Sequence, residues 1–202
     1  NVTVAVNNDV DELVMSPAVN WFGDATITVT VIDDGGLSNN TTFIFTTLSV
    51  NDAPVLEAIA DTSTIEDVPL TIAFFASDVE GHMLSFSTSS DTSSVTVIIV
   101  NDSLSIIPEQ DWNGSAHITL TVSDAFETDS LTFELTVSPV NDAPVAEDVA
   151  IFPSVPLETH DLELSYIYTD IEGDPESGTE ITWYKNGVEQ GEFFNQLTIP
   201  SS

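Results

Sequence analysis

Asn51-Asp52-Ala53-Pro54 returns ninety positions later as Asn141-Asp142-Ala143-Pro144, and this echo decides how the chain is read. The repeat extends well beyond the tetrapeptide. Pro17-Ala-Val-Asn20-Trp21-Phe-Gly23, followed by Thr26-Ile-Thr-Val-Thr-Val-Ile-Asp33, lines up with Pro108-Glu-Gln-Asp111-Trp112-Asn-Gly114, followed by His117-Ile-Thr-Leu-Thr-Val-Ser-Asp124. Self-similarity at a fixed spacing marks tandem units, each stacked on its neighbours. The phase of the repeat divides the chain into residues 1–50, the back part of one module; 51–142, a complete module; and 143–202, the front part of a third.

The local pattern within a module is strand after strand. Thr26 to Ile32, Thr42 to Val50, Thr71 to Phe75, Ser94 to Val100, Leu104 to Ile107, His117 to Val122 and Leu131 to Val137 alternate apolar and polar or form short apolar runs rich in Val, Ile, Thr and Phe. That is the signature of half-buried strands, and none of these stretches carries a helical period. Asp34-Gly35-Gly36, Asn101-Asp102, Asn113-Gly114, Gly173-Asp174-Pro175 and Asn186-Gly187 supply the turns. The expected fold class is all-β, with a two-sheet β-sandwich in each tandem module. Trp21 and Trp112 hold the same slot of successive modules and read as packing residues. In the last third, Asp161 to Tyr168 reads as a strand, Glu180 to Val188 as a strand entering a tight turn, and Leu197-Thr198-Ile199 as the start of another. Trp183 could fill the core position that an immunoglobulin sandwich gives to a tryptophan on its third strand.

The net charge is −33, with Lys185 the sole lysine and no arginine. Self-repulsion on that scale disfavours a compact state unless cations offset it. It excludes nucleic acid as a partner, since almost no side chain could neutralise phosphate. Disorder is the other reading of such a charge, but 42% of the residues are apolar and many alternate in runs. Cysteine is absent, so neither disulfides nor thiolate metal sites brace the modules. No apolar run approaches the length of a membrane-spanning helix and no signal peptide is visible, so this segment is not expected to insert directly in a membrane.

The acidic residues cluster by position. Asn51 and Asp52 lie in the linker, Asp78-Val79-Glu80-Gly81 follows an early strand of the complete module, and Asp124 ends a late one. In a sandwich entered and left at opposite poles, these three segments can meet at the entry pole. One boundary later the arrangement recurs, with Glu66, Asp67 and Asp111 at the exit pole, Asn141 and Asp142 in the linker, and Asp170, Glu172 and Asp174 from the third module. A hard cation such as calcium takes six to eight oxygen ligands in an adaptable cage, and loop carboxylates, amides and carbonyls supply them. Ca2+ is therefore the expected cofactor. The competing reading is that these are solvated turn residues, because Asp and Asn favour turns. Magnesium is disfavoured by its strict octahedron. Zinc is disfavoured because cysteine is absent and His82, His117 and His160 stand isolated in the sequence.

The ordered set Val50 to Val55, Ile65-Glu66-Asp67-Val68-Pro69-Leu70, Ala76-Ser77-Asp78-Val79-Glu80-Gly81, Pro108 to Gly114 and Thr121-Val122-Ser123-Asp124 resembles the bacterial cadherin-like tandem repeat of very large surface and secreted proteins. The resemblance implies calcium at the module junctions. By it, Glu66, Asp111, Asn141, Asp142, Asp170 and Glu172 would act at one junction, and Asn20, Asn51, Asp52, Asp78, Glu80 and Asp124 at the other. Asn20 and Asp111 stand where cadherins carry a longer acidic motif, and Glu80 and Glu172 replace an aspartate, so fewer ions per junction are expected than in animal cadherins. The third module follows the pattern only through Glu158, Asp170 and Glu172, and is as similar to a generic bacterial immunoglobulin-like module.

These readings converge on a calcium-rigidified extender or adhesion segment of a large bacterial cell-surface or secreted protein, extracellular, with neighbouring modules of the same polypeptide as its partners. The alternative is a recognition module for a surface glycan or protein, for which Phe22, Phe126, Trp183 and Tyr184 are the large aromatics that could face outward. An enzyme is the least favoured class. Carboxylate pairs are abundant, which makes each one uninformative, and no nucleophile or phosphate motif stands in a fitting context.

Overall fold

The computed structural model describes residues 1–7 and 12–200. The chain is all-β and divides into two compact units, Asn1–Ser138 and Pro139–Ser202.

The first unit begins with two antiparallel pairs. β1 (Val2–Asn7) pairs with β2 (Glu12–Pro17), and β3 (Gly23–Ile32) with β4 (Ser38–Thr47). The β3–β4 turn closes through Asp33, whose Oδ1 accepts the Leu37 amide at 2.8 Å while Gly36 adopts φ +80°. β4 starts earlier than alternation predicts and stops at Thr47, the residue opposite Gly23 at the start of β3. Without a partner strand, Leu48 and Val50 are left exposed.

The rest of the unit is a two-sheet sandwich. Its strands are β5 (Val55–Leu56), β6 (Thr62–Ile65), β7 (Leu70–Ala73), β8 (Ala76–Ser77), β9 (Ser85–Ser90), β10 (Val95–Val100), β11 (Ser103–Pro108), β12 (Gly114–Ser123) and β13 (Thr128–Ser138). One sheet runs β10-β11-β7 and the other β6-β13-β12-β9, with β6 parallel to β13 and β5 paired to β8. The alternation in β12 does what period two requires: Ala116, Ile118, Leu120 and Val122 are buried while His117 faces out. They meet Phe133, Leu135 and Val137 of β13, and Leu104 and Ile106 of the facing sheet, in one core. Every buried apolar side chain among the described residues lies in this sandwich. Trp112 packs on its edge, as expected for a packing residue, with its ring over Gly114, where an added Cβ would come within 3.1 Å of the indole.

This strand order fixes two poles. The Asn51-Asp52 linker, the loop after β8 and the β12–β13 turn lie at one end, while the β6–β7 and β11–β12 turns, carrying Glu66, Asp67 and Asp111, lie at the other.

The second unit contains β14 (Val145–Phe152), β15 (Leu162–Thr169), β16 (Tyr184–Lys185), β17 (Val188–Glu189), a 3-10 turn at Gly191–Phe193 and β18 (Thr198–Ile199), with sheet order β14-β15-β18. The strand expected from Glu180 is corrected to Tyr184–Lys185, which enters the expected tight turn at Asn186-Gly187, both in the left-handed region at φ +50° and +78°, and returns as β17. Residues 181–183 bond to a loop instead of a ladder. Asn195 Oδ1 accepts the Ile181 amide, Ile181 O accepts the Asn195 amide, and Trp183 O accepts the Gln190 amide. Trp183 is half-buried and its indole N–H donates to Gln196 O at 2.9 Å, so it is not the core tryptophan of a third strand.

Candidate metal centre

Asp78 and Asp124 are built alike. Each leads a turn by giving one carboxylate oxygen to backbone amides of its own loop. Asp78 Oδ1 accepts the His82 amide at 2.8 Å, and Asp124 Oδ1 accepts the Phe126 and Glu127 amides at 2.7 Å each. Such side-chain to backbone bonds are what make aspartate a turn residue. Here they also orient the other oxygen. Asp78 Oδ2 and Asp124 Oδ2 are buried with no hydrogen bond of full geometry among the described residues, although the Asn51 side chain stands close enough to lower the Asp124 carboxyl, and the two side chains are 1% and 0% exposed.

The linker adds a third oxygen of the same kind. Asn51 Nδ2 donates to Asp52 O at 3.2 Å, which aims Asn51 Oδ1 inward, where it too is buried and unpartnered among the described residues. Asp124 is held below the usual carboxylate range by the hydrogen bond from the Glu127 amide first, then by that of Phe126, by the neighbouring Asn51 side chain and by His82, against the opposing effect of burial. It is thus a carboxylate anion, not an acid, that is buried without a partner for one oxygen. Taking a carboxylate out of water is unfavourable unless it is paired and hydrogen-bonded.

Glu80 fastens the linker to this loop. Its Oε2 accepts the Asp52 amide at 3.1 Å and its Oε1 the Ser49 hydroxyl at 3.3 Å. Of the residues predicted for the entry pole, Asn51, Asp52, Asp78, Glu80 and Asp124 are therefore brought together. Asn20 shares a shallow cleft with Asp52 and Glu80, and sits in the left-handed region at φ +58°, as Asp111 does at +56° in the matching slot.

The second unit repeats the clasp. Asn141 Nδ2 donates to Asp142 O at 3.0 Å, the Asp142 amide to Glu172 Oε2 at 3.3 Å, and the Asp174 amide to Asp170 Oδ1 at 2.8 Å. Asp142 and Asp170 are half-buried, Glu172 and Asp174 exposed. At the far pole of the sandwich, Glu66 is buried, and the exposed Asp67 accepts the Asp111 amide through Oδ1 at 3.0 Å.

One residue the sequence reading set aside enters the site. His82 is not isolated: its Nδ1 lies 3.5 Å from Asp78 Oδ1 and 4.0 Å from Asp124 Oδ2. The signal was its position, four residues after Asp78, which a single tight turn brings back onto the aspartate. His117 also has a neighbour, Asp91, at 3.0 Å on the exposed face. Of the candidate recognition aromatics, Phe22, Phe126 and Tyr184 are exposed and Trp183 is half-buried.

Residues 51–136 match the family model described as bacterial Ig domain, so the middle module is of that immunoglobulin-like class. Among curated proteins none matches the chain. Solved structures with a likeness include an endo-fucoidan hydrolase from glycoside hydrolase family 107 (15% identity, 93% of this chain and 32% of that chain, TM-score 0.37). Two others are human protocadherin-24 EC1-2 (15%, 71% and 81%, 0.43) and domains 1-6 of the surface layer protein SbsC (16%, 92% and 26%, 0.39). The chain spans about a third of the hydrolase's length.

Proposed function

We propose that the chain is an extender or adhesion-type segment of a bacterial extracellular protein, stiffened by calcium bound where the linker meets the middle module. The observation that carries this reading is the set of three buried oxygens without hydrogen-bond partners, Asn51 Oδ1, Asp78 Oδ2 and Asp124 Oδ2, drawn from a linker and two separate turns. A buried site whose carboxylate oxygens lack hydrogen bonds from the described residues fits a hard cation that takes carboxylate and amide oxygens. When bound, calcium supplies the positive charge that these carboxylates lack within the protein.

The chain's own residues do the rest. Asp78 and Asp124 spend their Oδ1 atoms on backbone amides, so the Oδ2 atoms are held in place before any ion arrives. Preorganised ligands lose little freedom on binding. Glu80, tied to the Asp52 amide and Ser49, couples the linker to the same loop, so that filling the site restrains the linker. The bacterial Ig match of residues 51–136 supports the extracellular setting. Among the described residues no helix is long and apolar enough to cross a membrane.

The recognition reading is the second, and the exposed Phe126 beside the clasp is the observation in its favour. The test is titration calorimetry of the EDTA-stripped chain with calcium, paired with its radius of gyration with and without the ion. Saturable binding with a stiffer particle supports the extender. Absence of saturable binding returns the clusters to turn residues and shifts the weight to recognition.

A further inference from the structure

We propose that Asp78, His82 and Asp124 form a mixed nitrogen and oxygen site that also takes a divalent ion of the zinc class, which the second clasp does not. The three side chains offer ligand atoms that all lie within 4.8 Å of one another. His82 Nδ1 is buried and makes no hydrogen bond with a described residue, although carboxylate oxygens stand 3.5 and 4.0 Å away. Those separations are too long for hydrogen bonds. With the ring proton on Nε2, Nδ1 turns a lone pair toward the two carboxylates, the arrangement in which all three side chains can hold one cation.

The spacing suits a small ion. Zinc binds imidazole nitrogen and carboxylate oxygen at about 2.0–2.2 Å, which separates neighbouring ligands of a tetrahedron by about 3.3 Å. The 4.0 Å separation from the spare Asp124 Oδ2 needs only a small contraction, and the 3.5 Å to Asp78 Oδ1, the oxygen that also holds the His82 amide, shows how close the Asp78 carboxylate stands to the ring. The ring is placed by the turn itself, since the His82 amide is the donor to Asp78 Oδ1, and the Phe126 ring stands 5.5 Å away on a tilted face.

The repeat isolates the nitrogen as the variable. In the second clasp the matching turn is made by the Asp174 amide on Asp170 Oδ1, at the same 2.8 Å. One backbone frame thus presents imidazole in the first clasp and carboxylate in the second. Imidazole suits zinc, whereas calcium takes oxygen. The inference shares its aspartates with the calcium reading, but makes a separate claim about ion selectivity.

The experiment titrates the EDTA-stripped 202-residue chain with Zn2+ and with Ca2+ by calorimetry, and with Co2+ by visible absorption, in the wild type, His82→Ala and His117→Ala. His82→Ala keeps the backbone amide that holds Asp78, so the turn survives. The expected result is saturable zinc binding that His82→Ala weakens by at least about tenfold, loss of the cobalt d–d band in that variant, and a calcium isotherm that hardly moves. His117→Ala should leave zinc binding intact. No saturable zinc binding in the wild type, or a zinc isotherm and cobalt spectrum indifferent to His82→Ala, overturns the proposal. Zinc binding through His82 without any calcium binding refutes the calcium reading alone, and calcium binding without zinc refutes this one alone.

Discussion

Asp78→Asn separates the two roles of a clasp aspartate. Asparagine keeps the Oδ1 acceptor that holds the His82 amide at 2.8 Å, so the turn is retained, but it replaces the buried, unpartnered Oδ2 by an amide donor and removes the charge. A ligand that binds only the folded form stabilises it by RT ln(1 + [L]/Kd), about 2.7 kcal/mol at a free calcium of about 100 Kd. If the lost charge weakens binding about 100-fold, the same calcium contributes only RT ln 2, about 0.4 kcal/mol. The difference, about 2.3 kcal/mol, corresponds to roughly 9 °C at about 4 °C per kcal/mol for a domain of this size. Without calcium the sign reverses, because neutralising an unpaired buried carboxylate relieves a desolvation cost. Scanning calorimetry of both proteins in EDTA and in calcium should therefore show the variant melting no lower than wild type in EDTA, and its calcium-dependent rise in melting temperature smaller than that of wild type by roughly 9 °C. Equal calcium increments in the two proteins would refute the reasoning, as would an equal loss of melting temperature in both buffers.

Further outcomes follow from other sites. Glu80→Ala removes the acceptor for the Asp52 amide and the Ser49 hydroxyl, and should speed hydrogen exchange at Asp52 while leaving the sandwich core amides as slow as before. The Asp91 carboxyl is depressed, chiefly by the His117 backbone amide and then by the His117 side chain. A depressed folded-state value means stability that is present above the ordinary carboxylate pKa, near about 4, and lost as pH falls through the lower folded value. Acid titrations of Asp91→Asn should lack that component of the slope. Gly114→Ala sets a Cβ 3.1 Å from the Trp112 ring at φ +146°, and should destabilise the middle module by about 1–3 kcal/mol in urea unfolding.

Much of the fold was legible because the middle module obeys period two wherever a strand is half-buried: β12 alternates from Ala116 to Val122, and the sequence shows it. β9 was not, since Ser85-Phe-Ser-Thr-Ser-Ser90 has a single large apolar residue and becomes a strand by pairing with β12. β14 was missed for a related reason, with Glu147 and Asp148 interrupting its apolar run where its register slips against β15. Trp183 misled because an indole in an apolar context reads as core, whereas the backbone around it is bonded to a loop. At the clasp, the sequence exposed the carboxylates and their grouping by pole. It could not show which oxygens are spent on backbone amides and which are spare, because that depends on turn geometry. His82 was signalled only by its place four residues after Asp78, and its proximity to Asp124 is a tertiary fact.

Whether a cation sits on the Oδ2 atoms of Asp78 and Asp124 is read from amide chemical shifts during a calcium titration of the isotopically labelled, EDTA-stripped protein. Saturable shifts should concentrate at Asp52, His82, Phe126 and Glu127, whose amides bond to the clasp carboxylates. Small, non-saturating shifts spread across the acidic surface, with these four no larger than the rest, would contradict that placement.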